Sequence, residues 1–329
     1  MTRTDSAQAL VDAAHRALRA PSILNTQPWR WRVRADAPGG DVLELFADRT
    51  RQLGSIDPSG RLLTLSCGAA LHHARVALWA TGYEPAVERF PDPTDDDLLA
   101  RLHIVDHHEP PEHGLDVLAA MRRRHTERRP FAATTRIPDQ AVTEMARAAE
   151  AEEAWLHHVP AHDVPTLAGA VEQAATAEAR MAAYQADLHT WTHRPRAAGD
   201  GIPAEAVTAH MALPVHLRDF SGGETLLDPG FGTDRFAEFF VLATATDTRY
   251  DWLRAGEATS AVWLTATTVG LVASVMSDVI EVPEARTLLR RLLPAPAYPQ
   301  LVFRMGVDMQ PPPYPTSARR PPSEVIEIA

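Results

Sequence analysis

Two short stretches hold residues whose types and spacing could do chemistry. Arg122-Arg123-Arg124-His125-Thr126-Glu127-Arg128-Arg129 packs five arginines and a hydroxyl into eight residues. Guanidiniums present paired N–H donors in a planar fork and threonine adds a short donor, so the segment suits a grip on one phosphate. A solvated basic turn at a helix end accounts for the same residues. The second stretch, Ala20-Pro21-Ser22-Ile23-Leu24-Asn25-Thr26-Gln27-Pro28-Trp29, is a polar loop bracketed by prolines. Ser22, Asn25 and Gln27 supply both donors and acceptors, which suits the polar edge of a flat heteroaromatic ring. A rigid turn with an N-capping serine is its structural alternative.

Other chemistries fall away on composition and spacing. All 32 basic residues are arginine, so no lysine is present to form a Schiff base or serve a phosphate-binding loop. The single cysteine, Cys67, excludes an internal disulfide, a Cys-x-x-Cys pair and a four-thiolate zinc site. Gly230-x-Gly232 has Arg235 where a dinucleotide fingerprint needs its third glycine, and no strand precedes it. The pairs His72-His73, His107-His108 and His157-His158 diverge by about 100° on a helix and to opposite faces on a strand, so no pair clamps a metal by itself. No Gly-x-Ser-x-Gly elbow occurs. A formal charge of −11 opposes a surface that wraps nucleic acid.

The elements that must position the two stretches can be read from periodicity. Residues 6–19 place apolar side chains at helical spacing and stop before Pro21. Trp29–Arg34 alternates with period two, as a strand with one buried face does, and Val42–Ala47 follows a turn at Pro38-Gly39-Gly40. Asp57-Pro58 reads as an N-cap opening a helix that runs to Thr81 and closes at Gly82. A strand covers about 102–105, and the proline-rich 107–114 reads as a linker. Beyond it come a helix ending at Arg122-Arg123-Arg124, a helix opened by Pro138-Asp139, a strand at 155–159 and a long helix at about 165–190. Phe239–Thr246 reads as a buried strand, Trp252–Met276 as a long apolar helix and Gln300–Val307 as a strand. The tail from Gln310 should wrap as an arm. Residues 191–237 hold six of the seventeen glycines with little periodicity, as a lid or a surface insertion would. Placing Gly82 on Gly270 also places Gly68 on Gly256, which suggests an internal duplication.

With 329 residues, 45% of them apolar, the chain has room for two domains or two similar halves around a sizeable core. No unbroken apolar run reaches the length of a membrane span, and Met1–Asp5 leads into helical sequence without a secretory signal. The expected compartment is cytoplasmic.

The Pro21-Ser22-x-x-Asn25-x-Gln27-Pro28-Trp29 loop, the ending Arg319-Arg320-Pro321 and the chain length resemble the FMN-dependent nitroreductase superfamily, and within it the actinobacterial Acg-like branch. The resemblance implies an α+β chain in which a nitroreductase-like fold is duplicated as an intramolecular pseudo-dimer. Its halves would be 1–110, with the isoalloxazine-contact loop, and 115–329, with the phosphate grip, a lid at 191–237 and a C-terminal arm. It implies FMN as cofactor, contacted at its ring by Pro21, Ser22, Asn25 and Gln27. Arg124, His125, Thr126 and Arg128 would hold the phosphate with Arg319 and Arg320, and Met276 and Ser277 would bring backbone donors toward N5 and O4. The first half has no Arg-x-Thr-x-Arg segment, and 149–154 reads only Ala-Glu-Ala-Glu-Glu-Ala where the second loop should be, so one FMN per chain is expected. The implied activity is NAD(P)H-dependent two-electron reduction of a nitro-aromatic or quinone-like small acceptor, with no catalytic nucleophile and no metal. Flavin storage or sequestration beneath the lid is the alternative. The resemblance implies a monomer or weak homodimer, with neither nucleic acid nor membrane as partner.

Overall fold

The computed structural model describes residues 3–35, 40–132, 134–209, 211, 213–220, 225–230, 232–294, 296–307 and 316–329. Helix α1 (Arg3–Ala17) buries Leu10, Ala13, Ala14 and Ala17. It leads through the 20–28 loop into β1 (Trp29–Arg34), where Trp29, Trp31 and Val33 are buried and the intervening arginines turn toward solvent, as alternation dictates. Next come β2 (Val42–Ala47), the 20-residue α2 (Arg61–Ala80), β3 (Tyr83–Arg89) and β4 (Leu98–His107). These strands form an antiparallel sheet in the order β3-β4-β2-β1.

Helix α3 (Gly114–Arg123) then packs on the first core through Leu118, Ala120 and Met121, and the pattern starts again. It runs α4 (Asp139–Glu150), β5 (Trp155–His158), α5 (Val164–Arg180), α6 (Ala182–Trp191), β6 (Glu238–Thr244), the 20-residue α7 (Arg249–Thr268) and β7 (Leu271–Met276). Short helices α8 (Asp278–Glu281) and α9 (Pro283–Arg290) precede β8 (Tyr298–Val307). The second sheet is β7-β8-β6-β5, again antiparallel. Exchanging β1–β4 for β5–β8 turns one order into the other, and a 20-residue helix separates the second strand from the third in both. The chain is an α+β fold used twice and paired with itself.

The two long helices meet at the glycines that the spacing had matched. A Cβ on Gly68 would lie 2.0 Å from the Leu253 carbonyl oxygen and 2.9 Å from Gly256 Cα. One on Gly256 would lie 2.0 Å from the Leu65 carbonyl oxygen and 2.8 Å from Gly68 Cα. Hydrogen alone fits at both positions, so backbone meets backbone at the crossing. Gly82 (φ +90°) and Gly270 (φ +79°) then turn the chain out of each helix.

Several expectations need correction. The helix read over 252–276 ends at Thr268, and its last six residues are strand β7. An unbroken apolar run does not separate helix from strand by periodicity; Gly270 breaks it, and Val272 and Val275 favour the pleated side. Helix α2 starts at Arg61, after Gly60 (φ +73°), rather than at Pro58. Asp57 still caps it, accepting from Leu63 N at 2.8 Å, and burial pushes its carboxyl up to about 6. The helix read over 165–190 is broken at Met181, whose φ/ψ of −101°/96° is extended. Strand β3 and helix α9 were not anticipated. The Pro38-Gly39 turn lies outside the described residues, as does Gln310. Beyond it, α10 (Pro322–Val325) leads to β9 (Ile326–Ile328), which joins the first sheet parallel to β1.

Candidate functional site

A cavity of about 600 Å³ opens between the halves. Helix α2 lines it with Leu62, Leu65, Ser66 and Ala69, and α7 with Thr259, Trp263 and Thr267. Ten of the twelve residues picked from sequence reach it: Pro21, Ser22, Asn25, Arg124, His125, Thr126, Arg128, Met276, Ser277 and Arg319. Gln27 and Arg320 do not. Gln27 is buried beneath the loop, donating to Gly199 O at 2.8 Å and accepting from Arg320 N at 3.0 Å. The Arg320 side chain turns to Asp48, 3.5 Å away.

The basic segment owes its geometry to β7. Leaving α3, the chain runs alongside that strand, with Thr126 bridged to Ala273 and Glu127 N donating to Ala273 O at 2.9 Å. Extended backbone sends alternate side chains to opposite sides, so Arg124, Thr126 and Arg128 face the cavity while Glu127 and Arg129 face away and pair. Hydrogen bonds from Arg129 and His125 hold Glu127 down to about 2 despite its burial. Arg304, fully buried and paired with Asp234, donates to the Glu127 and Arg129 carbonyls at 3.3 and 3.0 Å and locks the segment from behind.

The cavity-facing arginines are differently placed. Arg124 stacks over the Trp263 ring, 4.6 Å from its centroid, and its Nε is buried with no hydrogen-bond partner among the described residues. Arg124 and Arg319 both donate to the Arg19 carbonyl, at 3.3 and 3.1 Å, so two guanidiniums converge on one point. Arg128 donates to Ala206 O at 3.3 Å and lies over the Phe220 ring, 5.1 Å from its centroid. Among the described residues none of the three forms an ion pair, whereas Arg129, Arg218, Arg254 and Arg304 all do. Burial, with Arg319 opposite, lowers Arg124 to about 9; burial lowers Arg128 to about 10. Burial and repulsion from Arg19 lower Arg319 to about 10. Each shift measures how poorly the protein alone solvates these cations, and an anion in the cavity would reverse it.

The 20–28 loop is held in a costly conformation. Leu24, Asn25 and Gln27 all have positive φ, 43°, 55° and 50°, which L-residues rarely adopt without compensation. Ser22 Oγ accepts from Gln27 N at 3.0 Å, and Ser66 Oγ of α2 accepts from Ile23 N at 3.1 Å. The Asn25 amide donates to Gly201 O and Ala318 O at 3.0 and 3.1 Å and accepts from Arg319 at 3.0 Å. Asn25 therefore ties together three distant parts of the chain. Asn25→Ala removes three hydrogen bonds, one of them from a guanidinium, and is expected to lower unfolding stability by about 2–3 kcal/mol, read from urea melts.

No family model matches the chain. A candidate NAD(P)H nitroreductase of Mycobacterium tuberculosis, Rv3131, is 37% identical over 315 residues, covering 94% of this chain and 89% of the relative. A second from that organism, acg, is 36% identical over 336 residues, covering 100% of this chain and 97% of the relative. The chain belongs to the Acg-like nitroreductase family. A solved nitroreductase with bound FMN from Bacteroides fragilis aligns with 62% of this chain and 94% of its own at 12% identity, TM-score 0.39.

In this chain the insertion between α6 and β6 lies over the cavity, which it lines with Ile202, Val207, Thr208, Leu217, Arg218 and Phe220. Residues 210, 212, 221–224 and 231 of the expected lid lie outside the described residues. Its inner edge is pinned to the first half by Asn25–Gly201, by Gln27–Gly199 and by an ion pair from Arg51 to Asp200. Ile202, Ala206 and Val207 share an apolar cluster with Leu24, Leu53 and Ile56.

Sequence reading missed Arg218 and the acids around it, because they sit in an irregular segment and on two separate helices. Arg218 pairs with Glu178 at 3.2 Å and Glu281 at 2.7 Å, and Asp278 lies beside it on the cavity wall. Burial raises Glu178 to about 7; Asp278 and Glu281 add to this, and Arg218 opposes it. A carboxyl raised in the folded state contributes stability at low pH that is lost as pH rises through about 7. Glu178→Gln should flatten that loss and be more stable than the parent at pH 8 by roughly 2 kcal/mol, with little difference at pH 5. Urea melts at the two pH values check it.

Among the described residues no three His, Cys, Asp or Glu could hold a metal, and no helix is long and apolar enough to cross a membrane.

Proposed function

We propose that this cavity binds FMN and that the chain is an NAD(P)H-dependent oxidoreductase acting on nitro-aromatic or quinone-like acceptors. The observation that carries the reading is the set of three guanidiniums, Arg124, Arg128 and Arg319, that face the cavity without an ion-pair partner among the described residues. A buried cation without a counterion is costly, and a phosphate dianion with three charge-assisted hydrogen bonds offsets that cost. The orphaned Nε of Arg124 fits such a ligand, as does the Thr126 hydroxyl at the centre of the wall. Leu62, Leu65, Ala69 and Trp263 supply the apolar walls that a flat ring needs.

FMN supplies two-electron transfer when bound, and the protein supplies binding, orientation and electrostatics. Arg124, Thr126, Arg128 and Arg319 hold the phosphate. Pro21, Ser22 and Asn25 border the ring, with Gln27 and Arg320 bracing that loop from behind. Ser277, which opens α8, and the end of β7 at Met276 face the same space. The working halves are 1–110 and 115–329, with α3 and β9 of the second packed onto the first, and their pairing within one chain suits a cytoplasmic monomer or weak homodimer.

A second reading, flavin sequestration, is favoured by one specific observation: the insertion that lines the cavity is pinned to the first half at Gly199, Asp200 and Gly201 by buried hydrogen bonds and an ion pair. Anaerobic addition of NADPH, then NADH, to the FMN-loaded protein decides between them, with dithionite as control. Bleaching of the flavin by a nicotinamide within seconds is the result expected of the oxidoreductase. Bleaching by dithionite alone supports sequestration, and a protein that cannot be loaded with FMN sinks both.

A further inference from the structure

The internal duplication generates a second place where a cavity should be. Adding 188 carries Gly68 onto Gly256 and Gly82 onto Gly270, so the same offset relates the other positions of α2–β3 to those of α7–β7. Applied to the cavity wall, it takes Ser66 to Arg254 and Ala69 to Glu257, and takes Trp263 back to Arg75 and Ser277 back to Arg89. Ser66, Ala69, Trp263 and Ser277 all line the open cavity.

Their four counterparts form one ion network. Arg75 pairs with Glu257 at 2.7 Å, Arg89 with Glu257 at 2.7 Å, and Arg254 with Glu257 at 3.4 Å. Glu152 completes it, 2.8 Å from Arg75 and 3.2 Å from Arg254. Glu152 lies in the α4–β5 connection, the counterpart of the α1–β1 loop that borders the open cavity. Glu257 is fully buried, and the Arg254 and Glu152 side chains are 6% and 7% exposed. The electrostatics of the two places are opposite. Arg124, Arg128 and Arg319 in the open cavity have no carboxylate partner among the described residues, unlike Arg218 on the same wall; every guanidinium of the network has one.

We infer that this network is a plug: the pseudo-symmetric second cavity, filled at the counterparts of Ser66, Ala69, Trp263 and Ser277 by the protein's own side chains, so that the chain offers one flavin-type cavity and not two. The closed place has no counterpart of the Arg124–Arg128 grip, so the ligand class it would take when opened is a flat heteroaromatic ring without a phosphate. The inference rests on reading the open cavity as a flavin site.

Lumiflavin, the ring without the phosphate, is the probe. FMN-loaded wild type is expected to carry one flavin per chain and to take up no lumiflavin; two flavins per chain overturn the plug. Arg75→Trp/Arg254→Ser/Glu257→Ala copies the lining of the open cavity onto the closed one. The FMN-loaded triple variant is expected to bind one lumiflavin, seen as quenching of ring fluorescence. A triple variant folded by circular dichroism that binds none overturns the inference. Should it not fold, the reciprocal Ser66→Arg/Ala69→Glu variant writes the plug into the open cavity. That protein should retain less than a tenth of the flavin, and full loading overturns the equivalence. A wild type that binds no FMN defeats the reading of the open cavity, and the triple variant's lumiflavin uptake still decides the plug.

Discussion

The Arg124→Ala/Arg319→Ala variant is expected to elute colourless, with FMN affinity lowered about 10²–10⁴-fold. The figure follows from losing two charge-assisted interactions worth about 1.5–3 kcal/mol each. What separates a binding role from a structural one is the stability of the protein without flavin. Arg124 is buried, short of partners and held below its ordinary basicity, so it costs the empty protein more than it contributes. Arg124→Met keeps apolar bulk against Trp263 and deletes the charge. Its flavin-free form should melt no lower than the parent's, while the rise in melting temperature on adding FMN shrinks. A destabilised variant that still binds FMN tightly would make Arg124 a structural cation.

Gly68→Ala should be the most damaging single methyl in the protein. The added carbon would sit 2.0 Å from the Leu253 carbonyl oxygen, in a crossing where both surfaces are backbone and neither can rotate away. Overpacking of this kind costs about 3 kcal/mol or more, and the displaced helices are the two that wall the cavity. Gly256→Ala should behave alike, since the offending contacts are reciprocal. Gly169, inside α5 with nothing within 4 Å of its Cβ position, is the control. Gly169→Ala should stabilise by about 0.5–1 kcal/mol. Urea midpoints of the three variants make the comparison, and equal effects at Gly68 and Gly169 would refute the close-crossing account.

The parts of the structure legible in the sequence were those whose signal is local. Alternation marked β1, proline and glycine marked the ends of α1 and α2, and the matched spacing of two glycine pairs pointed to the internal duplication. The arginines and the 20–28 loop stood out because five cations in eight residues and a proline-bracketed amide cluster are unusual by composition. Strand β7 was hidden because an apolar run buried on both sides has no period to read. Side-chain direction was hidden for another reason. Gln27 and Arg320 share their stretches with cavity residues but turn inward, to each other and to Asp48, a choice made by partners hundreds of residues away. The network of Arg75, Arg89, Glu152, Arg254 and Glu257 joins residues from four separate elements or connections, far apart in the chain.

Arg319 reaches back to the carbonyl of Leu18, 301 residues earlier, and to Asn25. The cationic wall of the cavity therefore joins residues made near opposite ends of synthesis. At about 5–20 residues per second, some 15–60 s separate the appearance of the loop from that of the arginine that closes on it. During that interval the first sheet lacks β9 and the 20–28 loop lacks its clasp. On the proposed flavin reading, the cavity wall is complete only once Arg319 has been made, so loading follows elongation rather than accompanying it.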